Sequence, residues 1–230
     1  MFQIAAAWSL SKEIGTVCHF DFSKSHVETQ GNKSIKYKDN FFKNLIDVNI
    51  DYNKLMVYRE PDFSFKPIPK VDNILLIGSF QSSKYFDKYE DGLSEIFNID
   101  EEKNNEIKNF INVVSKGEIT TSIHVRRGDY LRLPNFHPTC SIEYYKKAID
   151  IIGDGKFIVV SDDIEWCKEN FKGDHFIFSP FTDEINDLYL IINCNNHIIA
   201  NSSFSWWGAY LCKNKDKKII APSIWFGPDE

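Results

Sequence analysis

A chain of 230 residues with 43% hydrophobic and 26% charged residues has the composition of a globular protein, and can form one large domain or two small ones. Its net charge of −6 argues against a general nucleic-acid binder, so no nucleic-acid partner is expected. No apolar run reaches the roughly 18 residues of a transmembrane helix, and no charged-then-apolar signal peptide opens the chain. The five cysteines (Cys18, Cys140, Cys167, Cys194, Cys212) are widely spaced, odd in number and form no C-x-x-C pair. They point to reduced thiols in a reducing, cytoplasmic compartment and away from a structural zinc site.

In chain order, Met1 to Ile14 carries apolar Phe2, Ala5, Ala6 and Leu10 and predicts an amphipathic helix stopped at Gly15. Residues 17–22 predict a strand, 41–46 a short helix, and 55–58 a strand ended by Pro61. Residues 73–80 predict a buried strand. The Gln81-Ser82-Ser83 that follows either meets a ligand or caps a helix over 85–97, the cap being favoured. Residues 101–115 predict a helix with Ile107, Phe110, Ile111 and Val114 on one face. Lys116-Gly117 is the expected boundary, giving an acceptor-side α/β domain over 1–118 and a Rossmann-like domain over 119–230.

The second half alternates regularly. Strand-like runs fall at 121–125, 156–160, 175–179, 197–201 and 218–221. Between them lie helical spacings such as Ile142, Tyr145, Ile149 and Ile152, then Ile164, Cys167 and Phe171, then Ile185, Leu188 and Ile192. A last helix is expected over 205–213. Such alternation predicts a parallel, doubly wound sheet with its functional loops on one edge.

Three strand ends carry chemistry. Thr121 to Val125 runs straight into Arg126, Arg127, Gly128 and Asp129. Adjacent guanidiniums at a strand end suit a pyrophosphate, which they clamp through paired N–H···O bonds. They equally suit an ion-paired strand end with no ligand. His124 alone among the six histidines lies in this group; His19, His26, His137, His175 and His197 have no partners at ligand spacing. At the second strand end, Asp162 and Asp163 can meet a ribose or a guanine N–H edge, but capping by Ser161 or Asp162 is the commoner outcome. At the third, Asn201-Ser202-Ser203-Phe204-Ser205 opens onto a helix, whose free N–H groups and dipole make an anion site. Capping by Ser203 or Ser205 would use the same helix end. Trp206 and Trp207 read as core beside Gly208 and Ala209.

These motifs together resemble the α-1,2-fucosyltransferases. The resemblance rests on His124 through Tyr130, on Tyr144-Tyr145, on Ser161-Asp162-Asp163 with Trp166-Cys167, and on Ala200 through Ala209. Gly78 through Phe86 and the end at Ala221-Pro222 and Trp225-Phe226 match too, so it covers essentially the whole chain. It implies a GT-B-like fold, GDP-β-L-fucose as donor, inversion at the sugar carbon, no metal and no cofactor. The implied acceptor is a β-linked galactose in a glycan, fucosylated on its 2-hydroxyl. A lipid-linked or membrane-bound acceptor would bring peripheral membrane association.

On this reading Arg126 and Arg127 hold the pyrophosphate, His124 orients phosphate or fucose, and Asp162 or Asp163 contacts the nucleoside. The stretch Asn201, Ser202, Ser203, Phe204 and Ser205 completes the cradle. Asp129 is either the general base for the acceptor hydroxyl or the partner that orients an arginine. Family members usually begin with a strand and a Gly-Gly-Leu-Gly-Asn-Gln loop leading into Met-Phe-Gln, where this chain begins, so a fragment is expected. Two other readings compete with the enzyme: a GDP-sugar-binding remnant, and a protein O-fucosyltransferase, which shares a similar arginine motif.

Overall fold

The computed structural model describes residues 1–24 and 34–229. His26 lies outside the described residues. The chain divides into two compact units, Met1–Asp100 and Glu101–Glu230.

The first unit opens with α1 (Phe2–Ile14). It is buried nearly all round through Phe2, Ile4, Ala5, Ala6, Trp8 and Leu10, and ends at left-handed Gly15 (φ 74°). Strands β1 (Met56–Arg59) and β2 (Ile74–Ile77) pair in parallel, with Met56 opposite Ile74. Three expectations fail here, the first two because polar side chains take up the backbone. Residues 17–22 form no strand beyond a single bridge from Phe20 to Asp47, because Asp47 accepts the Phe22 N–H and Asp21 accepts those of Ser23 and Ile50. The helix expected over 41–46 is a run of turns, with Asn40 accepting the Phe41 N–H. Residues 85–97 form 3-10 segments, Ser83–Tyr85 and Asp87–Glu95, broken at Tyr89. Ser82 makes no side-chain cap there.

The second unit contains α2 (Glu101–Ser115), β3 (Thr120–Val125), α3 (Ile142–Ile152), β4 (Lys156–Ser161), α4 (Ile164–Asn170), β5 (Phe176–Phe178), α5 (Glu184–Asn193), β6 (Asn196–Ile198), α6 (Ser203–Leu211) and β7 (Ile219–Ile220). The boundary expected at 116–117 moves to residue 100, because α2 packs against α5 and so belongs to this unit. Five parallel strands run in the order β5-β4-β3-β6-β7. Ile123, Val125, Phe157, Val159 and Ile198 point to one face and pack with Tyr145, Ala148 and Ile152 of α3 and with Cys167 and Phe171 near α4. Ser122, His124 and His197 alternate to the other face. There α5 and α6 pack so closely that a Cβ on Gly208 would lie 2.4 Å from Ile191 Cγ2. Among the described residues no helix is long and apolar enough to cross a membrane.

Candidate functional site: the switch point between β3 and β6

The strand order fixes where a ligand can enter. From β3 the chain winds outward through β4 and β5, then returns to the other side of β3 with β6 and β7. The winding therefore reverses between β3 and β6, and open α/β sheets bind ligands in the crevice beyond the carboxyl ends at such a point. The loop after β3 carries Arg126 to Asp129, and the loop after β6 carries Asn201 to Ser203. Two of the three chemically notable strand ends thus flank the crevice, and the third lies beside β3 at the end of β4.

The arginine loop is built around carboxylates. Asp162 accepts the backbone N–H of Arg127 (2.9 Å) and of Gly128 (3.1 Å), and pairs with Arg126 Nη1 at 2.9 Å. That approach needs a glycine, since a Cβ on Gly128 would lie 2.6 Å from Asp162 Oδ2. Asp163 takes Arg127 Nε at 2.9 Å and accepts the Trp166 N–H at 3.3 Å, capping α4. The cap is thus Asp163, one residue beyond the expected pair, while Ser161 Oγ accepts the Asp163 N–H. The Arg127 guanidinium lies 4.2 Å from the Trp166 ring, and that of Arg126 lies 5.5 Å from the Tyr130 ring. Asp129 Oδ1 stands 2.7 Å from Arg126 Nη2, yet neither of its oxygens receives an aligned hydrogen bond among the described residues.

The serine loop presents a bare helix end. Ser202 occupies the N-cap position of α6 but makes no side-chain cap bond. Ser205 is fully buried, with Oγ donating to the Ser202 carbonyl at 3.3 Å, so it faces the helix interior. Ser203 is exposed on the first turn. The capping alternative therefore fails in α6, and the first-turn N–H groups are left to an outside acceptor. Asn201 is buried and occupied: its amide donates to Pro138 O (2.9 Å) and Trp225 O (3.0 Å).

His124 joins the two loops. Its ring centroid lies 5.3 Å from that of Phe204, and its Nδ1 is buried without a hydrogen-bond partner among the described residues. Burial lowers its pKa to about 4, with Asp162 opposing and Arg126 assisting, so the imidazole is neutral at pH 7. Tyr130 Oη donates to Asn201 O at 2.9 Å.

Arg126, Arg127, Asp129, Asp162 and Asp163 thus form one network. His124 with Phe204, and Ser202 with Ser203, form the opposite wall. Asp162 and Asp163 face arginines and backbone N–H groups in this structure. Sequence reasoning gives no role to Tyr130 or to the Trp166 ring. The adjacency of an aromatic to each arginine or aspartate motif was the available signal.

The family model described as glycosyl transferase family 11 matches residues 16–226. An O-antigen biosynthesis glycosyltransferase, WbnK, from Escherichia coli is 34% identical over 66% of this chain and 55% of its own length. The chain thus spans about half of that relative. An alpha-1,2-colitosyltransferase from Escherichia coli is 32% identical over 92% of this chain and 89% of its own. A galactoside 2-alpha-L-fucosyltransferase, SEC1, from Bos taurus is 29% identical over 42% of this chain and 30% of its own. Among solved structures, the fucosyltransferase NodZ from Bradyrhizobium superposes with a TM-score of 0.52 at 16% identity, covering 91% of this chain and 86% of its own. That likeness gives the fold, α/β and GT-B-like, as the sequence motifs implied. With a family model covering most of its length and a relative aligned nearly end to end, the chain belongs to glycosyl transferase family 11.

Proposed function

We propose that this chain transfers L-fucose from GDP-β-L-fucose to the 2-hydroxyl of a galactoside in a glycan, with inversion and without a metal. One observation carries the reading: two arginines and an uncapped helix N-terminus meet at the switch point of a parallel sheet. In this single displacement the bond from sugar C1 to the β-phosphate oxygen breaks as the acceptor O2 bonds to C1. The departing GDP gains charge on its β-phosphate. Arg126, Arg127 and the N–H groups at Ser203 and Phe204 neutralise it, which is the task a metal performs elsewhere. Neutral His124 offers a ring nitrogen to a donor oxygen. Asp129, standing against Arg126, orients that guanidinium. The acceptor proton then leaves to solvent. The relatives, an alpha-1,2-colitosyltransferase and a galactoside 2-alpha-L-fucosyltransferase, support a sugar attached in α-1,2 linkage to a galactoside.

A second donor is favoured by one observation, the colitosyltransferase aligned over 89% of its length. Colitose in place of fucose would keep the same GDP cradle. The reading takes the reaction to be cytoplasmic, which five cysteines without a disulfide among the described residues support.

Calorimetric titration with GDP and GDP-fucose, with and without chelator, followed by a galactoside assay with each donor, tests the whole reading. Binding unaffected by chelator and a product substituted at O2 are expected. A folded chain that binds no GDP would overturn it. Asp129→Asn should keep GDP binding and measurable transfer, whereas complete loss of transfer with intact binding would make Asp129 the base.

A further inference from the structure

The β3–β6 ladder stops at Ile123 opposite Ile198. Beyond it, no strand bond holds the arginine loop to the serine loop, yet the proposed pyrophosphate must touch both. Tyr130 spans that gap. It is buried, and its hydroxyl donates to the Asn201 carbonyl at 2.9 Å. Its ring lies 5.5 Å from the Arg126 guanidinium and stacks on His137 at 4.9 Å. Asn201 cannot drift to follow, because Pro138, Trp225 and the Cys140 thiol hold its side chain. Burial raises the Tyr130 hydroxyl to about 12, so it remains a donor at any working pH.

We infer that Tyr130 is a positioning residue: through its hydroxyl and ring it sets the spacing between Arg126 and the first turn of α6, and so the width of the diphosphate cradle. The inference deepens the donor-site reading above and rests on it. Two neighbouring tyrosines provide the contrast. Tyr145 donates to His124 O at 3.1 Å, and Tyr144 donates to Ile199 O at 2.6 Å and Ile220 O at 3.1 Å. Each braces a strand end, but neither carries an arginine on its ring among the contacts above.

The test measures affinity for inorganic pyrophosphate, GDP and GMP in the full chain, in Tyr130→Phe and in Tyr144→Phe. Phenylalanine keeps the ring and removes only the cross-link. Tyr130→Phe should weaken pyrophosphate and GDP about tenfold and GMP less than about twofold. Tyr144→Phe should lower the melting temperature while keeping the wild-type ratio of GDP to GMP affinity. An unchanged ratio in Tyr130→Phe, or the same change in Tyr144→Phe, would overturn the positioning role and leave the donor site standing. Wild-type binding of pyrophosphate without GDP would sink the nucleotide-sugar donor, and the pyrophosphate series would still decide Tyr130. A wild type that binds neither would overturn both. Should Tyr130→Phe fail to fold, hydrogen exchange on the wild type decides. Pyrophosphate should protect residues 126–133 and 199–205 together, and protection of one segment alone would refute the coupling.

Discussion

The two units of this chain solve the same problem in different ways. Residues 101–230 satisfy their backbone through ladders: five parallel strands and the helices between them. Among the described residues of 1–100 there are one α-helix, two short parallel strands and several 3-10 turns. There, Asp21, Asp47, Asn40 and Glu60 accept backbone N–H groups that a regular element would have used. Charged side chains appear in both units, but in different service. In the second they sit at strand ends and hold arginines facing a crevice. In the first they hold the chain itself. Substitutions that separate these two uses give the sharpest tests.

The largest effect should come from the strand-end charges. Arg126→Ala removes the guanidinium that bridges Asp129 and Asp162. Asp162 keeps its two backbone donors, so the loop should survive. The transfer rate should fall by about 10²–10³, the usual cost of losing one preorganised donor, and GDP affinity by about tenfold or more. Calorimetry and a melting curve on the same sample check this. A large fall in melting temperature with little change in affinity would mean that the strand-end charges serve structure, as in the first unit.

Acid should come next, and act on the second unit. His124 and His197 are buried, and burial lowers their pKa values from 6.5 to about 4 and about 3. A depressed histidine is neutral in the folded state while the unfolded chain takes up a proton below 6.5. Its contribution is therefore full at neutral pH and is lost as pH falls from about 6.5 toward 4 or 3. At pH 5 each histidine costs about 2 kcal/mol. Asp187 has the opposite sign. Burial raises its pKa from 3.8 to about 6, against the bond from Ser179. The folded state takes up that proton first, returning about 1 kcal/mol by pH 5. The net loss is about 3 kcal/mol, read from urea melts at pH 7 and pH 5. His197→Gln should flatten it, and a second unit indifferent to pH would contradict the burial argument.

Gly208→Ala probes packing without charge. The new methyl would meet Ile191, a β-branched side chain that cannot swing aside, 2.4 Å away at Cγ2 and 2.8 Å at Cβ. Overpacking of this kind costs about 1–3 kcal/mol. Denaturant melts should show it, with α5 and α6 losing hydrogen-exchange protection while residues 1–100 keep theirs.

The same contrast explains what the sequence could and could not say. Alternating apolar runs found all five strands of the second unit, and the Arg126-Arg127 pair found the crevice, because both signals are local. The carboxylate network escaped because its partners are far apart in sequence: Asp162 answers Arg127 across 35 residues, and Tyr130 answers Asn201 across 71. Asp162 and Asp163 read as nucleoside contacts, with Ser161 or Asp162 as the commoner cap, because that pairing leaves no mark in the local pattern. In the first unit the expected strand at 17–22 and helix at 41–46 had reasonable local patterns. Nearby Asp and Asn side chains captured the backbone donors first, a competition that periodicity does not register. The helix expected over 85–97 instead breaks at Tyr89, and the bare Gly92 beside it gives Trp8 room to approach.

The smallest expected effect tests that competition directly. Glu60 Oε2 accepts the N–H groups of Ser79 (2.8 Å) and Phe80 (2.7 Å), and Oε1 accepts the Tyr85 hydroxyl at 3.2 Å. These bonds hold Phe80 at φ 51°, a left-handed conformation uncommon for a bulky side chain. Gly78 makes room for them, since a Cβ there would lie 2.4 Å from Glu60 Cβ. Glu60→Gln keeps the shape and one acceptor oxygen but removes the charge from both backbone bonds. Charge-assisted bonds are roughly twice as strong as neutral ones, so the change should cost about 1 kcal/mol. That corresponds to about fivefold faster hydrogen exchange at residues 78–82. Exchange in β3 should not change. If β3 loosens equally, the carboxylate is not a local clamp, and the two units do not differ in the way their backbones are held.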